Sequence, residues 1–187
     1  MWRLLLTFSL LPIGAGLLLR WWFGTRVLAQ LGGRPCRCDR VRWDQTLGDN
    51  LPANASTEAP AAEFGNRLRL AALAEWQRSD PKRAAARESG RRFGLAVPPF
   101  SAMVAVFAVI LAKIPVAGAI AIFLAATALA TAFGLLSLGE ELRAIGRAAR
   151  ALRQARAFIR SDDEDAVIQA AVARAWCETL PKVLQML

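Results

Sequence analysis

Cys36-Arg37-Cys38, with Asp39 beside it and Asp44 a few residues on, is where side chains able to hold a soft metal or meet an oxidant crowd together. A tetrahedral site takes four ligands. Only Cys177, far along the chain, could add a third sulfur, and the sequence has no histidine. Two ordinary thiols in a basic loop are therefore expected, with no metal and no cofactor. The neighbouring arginines would lower the thiol pKa values and make the pair more reactive, which is the chemistry of a redox sensor. Three cysteines make an odd count, and Cys36 and Cys38 are too close for an easy bridge, so reduced thiols are the default.

The missing histidine also removes a His-centred triad, His-ligated haem and most zinc-enzyme sites. No nucleophile with a base, no paired carboxylates near an apolar segment and no phosphate-cradling glycine loop can be named. No catalytic residue is assigned, and the chain is not expected to be an enzyme.

The remaining chemistry is cationic: 24 Lys and Arg stand against 15 Asp and Glu, a formal net charge of +9. Arg87, Arg91 and Arg92 precede a long apolar stretch, and Arg143, Arg147, Arg150 and Arg153 follow it at helical spacing beside a face of Leu142, Ile145, Ala149 and Leu152. Each arginine near an anionic surface is worth about 1 kcal/mol, screened within a Debye length. These seven residues are assigned to anionic headgroups or to a partner protein. Nucleic acid would use similar chemistry. The arginines crowd beside apolar blocks, however, and the excess of cations on the inner side of membranes already explains them.

Those blocks set the architecture. Residues 95–138 carry a single charge, Lys113. One bilayer span uses about 20 apolar residues, so the stretch holds two, 95–113 and 115–138. Lys113-Ile114-Pro115 falls where the turn belongs, because an ammonium is costly in hydrocarbon and proline lacks a backbone donor. Leu4–Phe23 forms an earlier apolar run between Trp2 and the Trp21-Trp22 pair. It reads as a retained span over residues 1–23 rather than a cleaved leader, since it is long, ends in tryptophans and is followed by no small-x-small site. The expected fold is thus all-α: an integral membrane protein with three transmembrane helices, one N-terminal span plus a hairpin, and small cytoplasmic helical arms. Lys and Arg flank the spans so as to place the N-terminus outside, residues 24–94 inside, the hairpin tip outside and residues 139–187 inside, as in a bacterial inner membrane. With 55% hydrophobic residues concentrated in these blocks, little remains for an independent globular core.

Within the basic loop 24–94, residues 32–40 show no helical period and are expected to be irregular, and 48–61 reads as a linker in which the Asn54-Ala55-Ser56 glycosylation triplet is a chance match. Residues 59–78 read as a helix capped by Thr57, with Phe64, Leu68, Ala72 and Trp76 on one face. Asp80-Pro81 starts a further short helix. In the arm 139–187, Gly139-Glu140-Glu141 opens a helix to Arg160. Ser161-Asp162-Asp163-Glu164 is a capping box for a second helix, 162–179, with a stripe of Ile168, Val172, Ala175 and Trp176. Solvated capping is expected of those acids rather than pairing with arginines. The apolar tail after Pro181 should dock rather than hang free.

Ala105, Ala121, Ala125, Ala126, Ala130 and Gly134 recur at three- or four-residue spacing, which lets helix backbones approach closely in lipid, within the hairpin or between copies. No acidic group or arginine lies inside either hairpin span, which argues against a self-sufficient transporter. The expectation is a small membrane anchor or accessory scaffold subunit whose cytoplasmic arms bind anionic lipid and a partner protein or another copy. An oligomeric, holin-like pore is the rival.

Overall fold

The computed structural model describes residues 2–48 and 57–186. Most of the expected linker, with its Asn54-Ala55-Ser56 triplet, lies outside the described residues, as do the side chains of Trp2 and Arg3. Among the described residues the chain is all-α apart from one two-stranded ladder. Helix α1 is Trp2–Leu19. A π-helical turn, Arg20–Thr25, joins it to α2, Arg26–Leu31, so the helical run passes the expected end at Phe23 and stops only at Gly32-Gly33. The three-residue strands β1 (Pro35–Arg37) and β2 (Glu58–Pro60) pair antiparallel, with Cys36 opposite Ala59. Between them lies α3, Arg40–Leu47, which periodicity did not predict. Then come α4 (Ala61–Ser79), α5 (Pro81–Ile110), α6 (Val116–Ala155), α7 (Ser161–Thr179) and the short α8 (Lys182–Gln185).

Local chemistry accounts for the boundaries. Asp39 caps α3, its Oδ1 accepting from the backbone N–H groups of Val41 and Arg42, and Gly48 ends the helix in the left-handed region at φ 60°. Thr57 does not cap α4. Residues 58–60 are held in the ladder, and Pro60 precedes the first helical residue. Asp80 accepts from the Arg83 N–H at 3.2 Å with Pro81 at the first position of α5, as expected.

At the hairpin tip, the Lys113 N–H reaches the Ala108 carbonyl and the Ala112 N–H reaches that of Val109, with Ala112 left-handed at φ 52°. This is a Schellman closure built without glycine. A second one ends α6: Ala157 N–H to Leu152 O, Arg156 N–H to Arg153 O, and Arg156 at φ 51°. Helix α6 runs unbroken for 40 residues, ~60 Å at the standard rise. Gly139 therefore does not open a separate helix, because a lone glycine costs a helix interior only about 1 kcal/mol. Likewise the expected short helix after Asp80 and the apolar segment from residue 95 form one helix, α5, through Pro98 and Pro99.

Among the described residues, three helices are long and apolar enough to cross a membrane: Leu4–Leu31, Pro81–Ile110 and Val116–Ala155. The chain divides into two compact units. The first comprises Met1–Arg20, Ala86–Leu138 and Glu178–Leu187. In it Ile13, Ala128, Leu180 and Leu184 cluster, with Leu17 and Leu124 at the margin, and Phe93 meets Phe133 edge-on at 5.7 Å. The C-terminal segment thus docks, as expected of its composition, but with the apolar helices rather than with the rest of the arm.

The second unit comprises Trp21–Ala85 and Gly139–Cys177 and has a core of its own, contrary to the expectation from composition. Trp43, Phe64 and Phe158 pack mutually at 5.4–5.9 Å between ring centroids, with the Trp43–Phe158 and Phe64–Phe158 pairs near perpendicular. The expected stripe Phe64, Leu68, Ala72 and Trp76 is buried, as are Ile145, Ala149 and Leu152. On α7 the buried face differs from the expected stripe. Ala166, Val167, Ala170, Ala171 and Ala173 are buried with Ala175, while Ile168, Val172 and Trp176 are half-buried. Close approach selects alanine here: a Cβ on Gly65 of α4 would lie 2.7 Å from the Ala171 nitrogen and 2.9 Å from the Ala170 Cβ.

Candidate functional site

The Cys36-Arg37-Cys38 segment is folded into the second unit. Pairing of β1 with β2 turns Cys36 inward, where it is fully buried with Sγ 3.7 Å from the Asp163 carbonyl oxygen and 3.6 Å from that of Arg34. Cys38 is 4% exposed, bridges to Phe158, and donates its N–H to the Thr57 carbonyl. Burial raises both thiol pKa values. At Cys36 the nearby Asp163 adds to the rise and Arg34 only partly offsets it, and Cys38 is pushed up to about 11. The activated thiols expected from the arginines are therefore replaced by inert ones. The guanidinium groups are committed to carboxylates instead: Arg34 to Asp163 at 3.2 Å, Arg37 to Glu58 at 2.7 Å and Arg40 to Asp44 at 3.8 Å. Cys177 sits elsewhere, against Gly24, where an added Cβ would lie 2.7 Å from its Sγ. Among the described residues no three of His, Cys, Asp and Glu form a group that could hold a metal, so the three-sulfur site is not assembled.

The seven arginines assigned to lipid or partner divide by their surroundings. Arg91 and Arg92 share Glu88 at 3.1 and 3.2 Å, and Arg143 meets Glu140 at 2.7 Å. Arg153 is held at the start of α7 by Glu164 at 3.1 Å and Asp165 at 2.6 Å. Together with Arg34 on Asp162 and Asp163, this makes the Ser161–Asp165 acids an ion-pair partner of the unit's own cations, against the expectation of solvated capping. Arg150 donates to the Gly146 carbonyl, and Arg87 is half-buried on α5. Arg147 is exposed at the edge of a groove of about 320 Å³ lined by α3, α4 and α6. Trp76, Ala72, Leu47 and Ala148 form its apolar walls, and Glu75 and Ser79 its rim.

Two features of this unit carry no signal in local sequence pattern. Arg69 and Glu141 form an ion pair at 2.5 Å with side chains 5% and 4% exposed. They are 72 positions apart, and only the misfit of Arg69, a cation beside the buried Leu68, hints at it. The Trp43 indole Nε1 is buried with no acceptor among the described residues. Of the small residues assigned to packing, Ala105, Ala121, Ala126 and Ala130 are buried and Ala125 and Gly134 half-buried.

In the first unit Arg20 does not simply reach outward. Its Nη1 and Nη2 donate to the Leu184 and Gln185 carbonyls at 2.7 and 2.9 Å, satisfying the end of α8. What the described side chains offer is guanidinium charge, much of it already paired, beside apolar surfaces. No family model, no curated protein and no solved structure matches the chain.

Proposed function

We propose that the protein is a membrane anchor and accessory scaffold, inserted through its three long apolar helices, whose arginine-bearing segments bind anionic headgroups and a partner protein. The observation that carries this reading is outward-facing grease. Leu4, Phe8, Leu11 and Leu18 on α1, Phe100, Met103, Val104, Phe107 and Ile110 on α5, and Ile120, Leu129, Phe133 and Leu136 on α6 are all exposed, Phe8 by 70% and Leu136 by 77%. Soluble monomers rarely leave contiguous apolar patches beyond a few hundred Å² open to water. Lipid is the solvent that such faces fit, and helices are among the few structures that satisfy their own backbone there. The cation distribution favours residues 24–94 and 139–177 on the cytoplasmic side, with the Ala112-Lys113 tip outside and the C-terminal segment packed back among the apolar helices.

The arginines favoured for headgroup contact are those least neutralised within the fold, above all Arg147, while Arg143 and Arg153 are already paired. Carbonate extraction tests insertion. A cysteine-free chain carrying one new thiol, at Ala112 or at Gln154, tests orientation. The proposal expects a carbonate-resistant chain labelled from outside at 112 and only from inside at 154. A chain released by carbonate ends the membrane reading, and the opposite labelling pattern ends the orientation.

A further inference from the structure

We propose that the groove between α3, α4 and α6 in the second unit is a site for one fatty acid, its alkyl chain lying along the apolar walls and its carboxylate on Arg147. An unpaired guanidinium singles this groove out. Helices α4 and α6 carry seven arginines between them. Five hold carboxylates: Arg67 on Glu63, Arg69 on Glu141, Arg78 on Glu75, Arg143 on Glu140, and Arg153 on Glu164 and Asp165. Arg150 donates to the Gly146 carbonyl. Arg147 has no acceptor among the described residues, and it stands on the groove.

The other polar groups there are already committed. The Thr46 hydroxyl donates to the Arg42 carbonyl at 2.7 Å, the Ser79 hydroxyl to the Trp76 carbonyl at 3.2 Å, and the Glu75 carboxylate is balanced by Arg78 at 3.3 Å. What is left is one net positive charge beside an apolar trough. Ala144, Ala148 and Ala151 follow one another along α6 at three- and four-residue spacing, and these small side chains, with Ala72 and Trp76 of α4, leave the trough open. Its volume of about 320 Å³ lies at the lower end of small-ligand sites, roughly 300–1,000 Å³, which are mostly apolar with a few polar groups that fix orientation. Such a space takes a single alkyl chain, whereas a helix with its side chains is about 10–12 Å across and docks through several anchors. The planar fork of one guanidinium matches a carboxylate, which accepts two parallel N–H bonds from it. One positive charge also suits a monoanion better than a phosphate monoester, which carries about −1.5 to −2 at neutral pH.

The inference rests on the proposed assignment of Arg147 to an anionic head, and the experiment separates it from membrane insertion. The full chain, Arg147→Gln and Ala148→Leu are purified in one nonionic detergent and checked for equal helicity and thermal midpoint. Should Ala148→Leu melt early, Ala151→Leu takes its place. Each is dialysed at pH 8 against radiolabelled dodecanoate, with protein-free micelles as the baseline and dodecanol as the uncharged probe. The native chain is expected to bind one dodecanoate, saturably and above baseline, and dodecanol about tenfold more weakly. Arg147→Gln should weaken dodecanoate by about the same factor and leave dodecanol unchanged, because only the charge-assisted bonds are lost. Ala148→Leu, which narrows the trough and keeps the guanidinium, should weaken both probes. Dodecanoate at baseline overturns the site and hands the groove to a protein side chain. Dodecanoate binding that either variant leaves unchanged overturns it too, and equal binding of the two probes overturns the choice of a fatty acid. Carbonate extraction decides the anchor independently: a resistant chain with baseline dodecanoate loses only the groove, and a released chain that binds dodecanoate loses only the anchor.

Discussion

Removing one partner of the buried Arg69–Glu141 pair should unfold the second unit under conditions where the native chain holds, whereas removing both should not. The two side chains are 5% and 4% exposed and meet at 2.5 Å, so neither charge has water to fall back on. At an effective dielectric near 20, unit charges about 4 Å apart attract by roughly 4 kcal/mol, and the desolvation of each ion consumes much of that gain. The Glu141→Gln variant keeps shape and hydrogen-bonding capacity but leaves the guanidinium buried without its counter-charge. The expected loss is about 3–5 kcal/mol, a large part of the stability of a domain this small. The double variant Arg69→Met with Glu141→Leu removes both desolvation terms and should lie within about 1 kcal/mol of the native chain, or above it. Urea titration in detergent, followed through tryptophan fluorescence with Trp43 and Trp76 as reporters in this unit, measures all four corners of the cycle. A single variant that costs under about 1 kcal/mol, or a double variant worse than either single one, would refute the assignment of this pair as a buried, mutually compensating charge couple.

Two further outcomes follow from the local geometry. Arg156 closes α6 in the left-handed region at φ 51°, where a residue with a side chain costs about 1–2 kcal/mol more than glycine. Arg156→Gly should therefore raise stability by about 1 kcal/mol, less any entropic cost of glycine in the unfolded chain, while leaving the Arg42 hydrogen bond to its carbonyl intact. A fall in the thermal midpoint would count against that closure. For Cys38, with its thiol near 11 and an ordinary thiol near 8.5, alkylation at pH 8 should run roughly 200-fold slower on thiolate fraction alone than at an unperturbed site. Because the folded state holds this proton more tightly than the unfolded one, the stabilisation is intact below about pH 8.5 and drains away as pH rises toward 11. Site-resolved mass spectrometry with half-buried Cys177 as reference would contradict this if Cys38 reacted as fast.

Sequence was most informative where a single residue controls a boundary. Asp80-Pro81 and the Lys113-Pro115 turn mark helix ends within a few residues, because capping and the lost proline donor act locally, whereas Ser161 is itself the first residue of α7, whose leading N–H groups donate to the Arg160 carbonyl. The four-residue spacing of Phe64, Leu68, Ala72 and Trp76 showed the buried face of α4 for the same reason. Helix α3 was legible too, in Asp39 and Gly48 at its two ends, but its charged interior offers no apolar period to draw attention to them. The strands at Pro35–Arg37 and Glu58–Pro60 are three residues each, too short for alternation to register, and their pairing is a long-range fact.

Free thiols were the right expectation, but a lowered thiol pKa was read from charge alone. The arginines near Cys36 are close in sequence, yet burial outweighs them and their guanidinium groups face carboxylates. The alanine face of α7 was hidden because hydropathy favours Ile168 and Trp176, whereas the space opposite Gly65 admits nothing larger than a methyl group.

The second unit is discontinuous in the chain: Trp21–Ala85, then a long interruption, then Gly139–Cys177. A ribosome making this chain therefore delivers Phe64, Trp43 and Cys36 long before Phe158, Ala170 and Asp163, the groups that cover them. Until α7 emerges, those aromatic and thiol side chains lack their cover in a nascent chain that already contains all three long apolar helices. Completion of this core therefore waits on residues 139–177, and its first segment spends that interval without the side chains that bury it.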